Sequence, residues 1–84
     1  MEFMISARFR PQDRAEILAR LPQEQARIKE LKEQGIEQAL YIKSDLSQVW
    51  IMMQGESQDQ VQKSLESLPL YPYMEVEIAL LAEM

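Results

Sequence analysis

At 84 residues the chain has room for one small core. A chain of this size buries only about 60–65% of its unfolded surface, so it is marginal alone and association would help it. Cysteine and histidine are both absent, which excludes disulfides, thiolate metal sites, histidine general bases and histidine-based triads. The 9 Lys and Arg are scattered among 14 Asp and Glu, for a formal net charge of −5 and a pI of about 4.6, so no nucleic-acid partner is expected.

Gly35 and Gly55 are too few for a glycine-rich phosphate cradle. No apolar run is long enough for a signal peptide or a membrane span. The expectation is a cytoplasmic protein with no membrane contact, one domain over residues 1–84, with no linker, repeat or low-complexity tract.

In chain order, Glu2 to Phe9 alternates: Phe3, Ile5, Ala7 and Phe9 point one way, and Met4, Ser6 and Arg8 the other. That is a strand with one buried face, ended by Arg10 and Pro11. Gln12 to Gln34 reads as helix, with Asp13 as a cap or first-turn acid. Ile17, Leu18 and Leu21 lie on one side. Pro22 either kinks one helix or begins a second. Beyond it, Ile28 and Leu31 continue an apolar stripe. Glu16 with Arg20, and Lys29 with Glu33, are candidate exposed pairs at i, i+4. Gly35 is placed to stop the helix in the left-handed conformation.

Ile36 to Lys43 reads as a second strand, and Ser44 to Ser47 as a hairpin turn. Gln48 to Gln54 is a third strand. Val49, Ile51 and Met53 face one way, Trp50 and Met52 the other, so both faces need cover. Ser57 with Gln60 is a capping-box pattern, and Val61, Leu65 and Leu68 give the following helix its core stripe. Leu68 to Tyr73, LPLYPY, reads as a stiff extended elbow, because each proline fixes its own φ and restrains the residue before it. A last strand follows, in which Met74, Val76, Ile78 and Leu80 alternate with Glu75, Glu77, Ala79 and Leu81.

Strand, helix, strand, strand, helix, strand predicts an α+β ferredoxin-like plait, a four-stranded antiparallel sheet with both helices on one face. Right-handed crossovers place the first and third strands in the centre. The other sheet face, with Met4, Trp50 and Leu81, then needs cover, and a second copy of the chain is the expected one.

The segment LPLYPYMEVEI, residues 68–78, resembles the end of the muconolactone isomerase family, which typically reads leucine-proline-leucine-aromatic-proline-tyrosine-methionine-acid. The resemblance implies a dimeric α/β barrel, sheet against sheet, assembled further into rings: a homodimer or larger homo-oligomer. It implies a cofactor-free isomerase that moves a proton on a small unsaturated lactone or carbonyl acid, with no metal. The family carries an acid about eleven residues before the glycine that ends the first helix, and Glu24 stands at that spacing from Gly35. The family also carries histidine and asparagine in and after the second strand. Residues 37–53 here, EQALYIKSDLSQVWIMM, have neither.

Glu24 is therefore one catalytic candidate, as a proton shuttle. It shares the stripe of Ile28 and Leu31, where burial would raise its pKa. If Pro22 starts a helix, Glu24 is instead a first-turn acid, and the dipole would lower it. With the family's polar partners missing, a lowered value is expected. Tyr73 is the second catalytic candidate, as a donor to a carbonyl, with packing as the plainer role. Arg8, Trp50 and Tyr71 are the substrate-binding candidates. Arg8 would hold a carboxylate, polarise a carbonyl or pair with Glu75 and Glu77; Tyr71 would donate to a ligand carbonyl or pack at an interface; Trp50 would line an apolar pocket or a subunit contact. A non-catalytic oligomerising or small-ligand-binding module of the same fold is the alternative.

Overall fold

Alternation in Glu2–Phe9 puts Phe3, Ile5 and Ala7 on one face, and all three are buried in the computed structural model, which describes residues 1–82 and 84. This strand is β1. A 3-10 turn at Pro11–Asp13 leads into helix α1, Arg14–Glu33. Strands β2, Glu37–Ile42, and β3, Gln48–Gln54, form a hairpin. Helix α2, Gln58–Glu66, and a second 3-10 turn, Tyr71–Tyr73, precede β4, Met74–Leu80. The sheet order is β2-β3-β1-β4, antiparallel throughout, with β1 and β3 in the centre. This is the ferredoxin-like plait expected from the element order.

The core lies between the sheet and the helices. Phe3, Ile5 and Ala7 of β1, Val49, Ile51 and Met53 of β3, and Met74 of β4 meet Leu31 of α1 and Val61 and Leu65 of α2. Leu68 and Leu70 from the elbow close it. Fully burying each large aliphatic stabilises the fold by about 1.5–3 kcal/mol.

Local chemistry sets the helix ends. Gly35, at φ +78, ends α1: its N–H donates to the Lys32 carbonyl and that of Ile36 to the Leu31 carbonyl, the paired bonds of a Schellman stop. Nothing lies within 4 Å of a Cβ added there, so the glycine is required by conformation alone. Ser57 caps α2 by accepting from the Gln60 N–H at 3.2 Å. The Gln60 side chain reaches one residue further back than a standard capping box and accepts from the Glu56 N–H at 2.6 Å.

Four local expectations are refined. Pro22 does not begin a second helix: α1 is one helix across it, the other of the two readings, and the Leu18 carbonyl loses its helical donor. Asp13 makes no capping hydrogen bond and instead lies 3.9 Å from Arg10. Of the two expected surface pairs only Glu16–Arg20 forms, at 2.6 Å; Arg27–Glu30, at 3.1 Å, is the other ion pair on α1 among the described residues. The elbow is not extended. The Tyr71 N–H donates to the Leu68 carbonyl and that of Tyr73 to the Leu70 carbonyl, winding it into a 3-10 turn with Pro72 near its start.

Candidate functional site

Because α1 runs unbroken through Pro22, Glu24 lies mid-helix, far from the positive end of the dipole. It is 6% exposed, on the stripe that faces the elbow. Oε1 accepts one hydrogen bond, from the Leu70 N–H at 3.0 Å. Burial pushes its carboxyl above the ordinary 4.5, and the single Leu70 bond only partly offsets this. The expected lowering is thus overturned, since it required a helix start at Pro22.

Both tyrosines of the elbow lie half-buried against the core. Tyr73 is covered by the Arg20 guanidinium, 5.3 Å from the ring centroid. The Tyr71 hydroxyl accepts from Gln62 Nε2 at 3.0 Å. Glu24, Tyr71 and Tyr73 therefore share the helix and elbow side of the molecule.

Arg8 and Trp50 are on the other side. In register, Trp50 lies between Ser6 and Tyr41, and Arg8 between Gln48 and Glu75. With Met4, Ala39, Tyr41 and Met52, Trp50 makes an apolar strip on the helix-free face, where Tyr41 is 69% exposed. Beside it, Ser6, Arg8, Glu75 and Glu77 line a shallow groove of about 170 Å³ between β1 and β4. The strands adjoin as expected. The ion pair does not form with Arg8: Arg10 Nε takes Glu75, at 4.0 Å. Within one chain the five candidate residues thus fall into two groups separated by the sheet.

Glu37 escapes a reading of the sequence. Simple alternation would put it with Ala39 and Tyr41 on the helix-free face. An irregularity between Glu37 and Ala39 turns Glu37 inward opposite Met53. It is 4% exposed, and among the described residues neither carboxyl oxygen has a hydrogen-bond partner. Burial raises its pKa as well, against a weaker pull from Lys32.

A second groove, of about 360 Å³, opens between the first half of α1 and the β2–β3 hairpin. Phe9, Ile17 and Leu21 are among its walls, and Leu18, Ile42 and Leu46 stand exposed around it. Glu24 does not line it; its neighbours Leu21 and Gln25 do. Among the described residues no cluster of acids is placed to hold a metal ion, and no helix is long and apolar enough to cross a membrane.

The profile of the muconolactone delta-isomerase family matches residues 1–84. The chain belongs to that family. A solved structure of 5-chloro-2-hydroxyhydroquinone dehydrochlorinase (TftG) from Burkholderia phenoliruptrix AC1100, in complex with 2,5-dihydroxybenzoquinone, superposes with a TM-score of 0.85 at 18% identity, covering 100% of this chain and 96% of that one. A muconolactone isomerase crystal structure superposes at 0.77 and 20% identity, covering 100% and 91%. No curated protein matches the chain. At these identities the two structures share the fold with this muconolactone isomerase-like domain.

Proposed function

We propose that this muconolactone isomerase-like chain is a cofactor-free catalyst that moves a proton on a small unsaturated lactone or carbonyl acid, with Glu24 as the proton carrier. The observation that carries the reading is the buried Glu24 carboxyl, raised above 4.5 and holding one donor among the described residues. A raised pKa moves a carboxyl in the direction that suits a group that must both take up and release a proton. Tyr73, on the same side, is the candidate polariser, and Tyr71 the candidate contact for the ring. The names of the solved neighbours, one with a lactone and one with a hydroxyhydroquinone, support a small oxygenated ring as substrate. Arg8 and Trp50 serve the same reading at the contact between copies. The apolar strip around Trp50 supports a homodimer or larger assembly through the helix-free face. The expected cytoplasmic location is part of the proposal.

The alternative, a non-catalytic ligand-binding or oligomerising module, draws on the Leu70 bond, which gives Glu24 a structural task at the elbow. Deuterium incorporation into unsaturated lactones, followed by proton NMR, separates the two. Exchange with the wild type that is lost in Glu24→Gln supports the enzyme. No exchange into any lactone tested leaves the module.

A further inference from the structure

The groove beside the hairpin has a volume of about 360 Å³. At about 30 Å³ per liquid water, that is room on the order of a dozen waters, more than a one-ring lactone displaces. Three large aliphatic side chains stand around it unburied: Leu18 at 49%, Ile42 at 52% and Leu46 at 54% exposure.

Two details argue for an occupant. Leu46 has φ +66, in the left-handed region where a hairpin ordinarily places glycine or asparagine. The turn closes through its backbone: the Leu46 N–H donates to the Lys43 carbonyl at 2.8 Å, and the Lys43 N–H to the Gln48 carbonyl at 2.8 Å. A leucine side chain there strains the turn, stays 54% exposed and lines the groove. Arg14 is the second detail. It lines the same groove and makes no ion pair or side-chain hydrogen bond among the described residues. Arg10, the other cation there, is already bound to the Pro72 carbonyl at 2.8 Å. The acid of the rim, Asp45, is turned onto Ser47, whose N–H it accepts at 3.0 Å.

We infer that this groove is a ligand site, separate from Glu24, for a flat two-ring carboxylic acid whose rings lie against Ile17, Leu18 and Ile42 under Leu46 and whose carboxylate meets Arg14. A guanidinium with free donors at the edge of an apolar cleft matches a planar carboxylate bidentately. The apolar lining takes the rings, as in small-molecule pockets generally.

Amide NMR of the full chain, titrated with naphthoate, naphthamide and benzoate, tests this. Naphthoate should shift the amides of Arg14–Leu21 and Ile42–Ser47 saturably, and more tightly than benzoate. Arg14→Gln should weaken naphthoate by about tenfold or more, the size of a charged hydrogen bond, and leave naphthamide unchanged. Leu46→Gly should raise the melting temperature while weakening both naphthyl probes. Shifts confined to the helix-free face, non-saturating shifts, or equal losses of naphthoate and naphthamide in Arg14→Gln would overturn the site. The outcome is independent of the lactone exchange: saturable naphthoate binding without exchange leaves this site standing and removes the proposed catalysis, and exchange without groove shifts does the reverse.

Discussion

Glu24 loses most of its water but keeps one donor, the Leu70 N–H; Glu37 loses slightly more and keeps none. Both are raised by burial, so both favour the protonated form in the fold. The stability linked to each is fully present below the unfolded value of 4.5 and is lost as pH rises through the raised folded value. Glu37→Met should therefore stabilise the protein at neutral pH by about 1–3 kcal/mol, the cost of an unpaired buried polar group. Urea denaturation should show that gain shrinking as the pH falls toward 4.5. Glu24→Ala orphans the Leu70 N–H and should cost about 1–3 kcal/mol, whereas Glu24→Gln keeps an acceptor and should cost clearly less. Equal losses in both variants would show that the elbow does not depend on this bond. The inward face of Glu24 is legible in its spacing from Ile28 and Leu31. The surroundings of Glu37 are not, because its side is decided by the strand irregularity, which the alternation of residues 36–42 conceals.

The strands were readable wherever alternation was clean, as in Phe3, Ile5, Ala7 and in Val49, Ile51, Met53. The helix stops were readable where one residue type is physically demanded, as at Gly35 and Ser57. What the sequence left open was the path through proline. Pro22 is compatible with the start of a second helix or with one helix that runs through it, and α1 takes the second course. The elbow misread has the same origin: the preference of pre-proline residues for extended backbone yields at Tyr71 to the bonds that close the 3-10 turn. Gly35→Ala places a side chain in left-handed backbone and should cost about 1–2 kcal/mol in thermal melts, although it meets no steric obstacle. Pro72→Gly frees the unfolded chain and should cost about 0.4–1 kcal/mol. A wild-type melting temperature for the proline variant would mean that the elbow is held by its buried leucines and hydrogen bonds without help from Pro72.

At the scale of the molecule, the sheet separates an elbow side bearing Glu24, Tyr71 and Tyr73 from a helix-free side bearing Arg8 and Trp50. The plait and the uncovered face follow from element order and from the doubly apolar third strand. The division of the candidate residues between the two sides does not, because it depends on where α1 and the elbow settle. Trp50→Glu puts a charge into the uncovered strip and should shift sedimentation toward the 9.9 kDa monomer with circular dichroism unchanged. Loss of helix signal instead would place Trp50 in the core. The proposed chemistry rests on a carboxyl held above its ordinary range, and carboxyl NMR titration of Glu24 in the wild-type protein, assigned with Glu24→Gln, tests it most directly. The expected midpoint lies above 4.5, because desolvation outweighs the one Leu70 bond. A midpoint below 4.5 would contradict the proton carrier and return Glu24 to a structural acid.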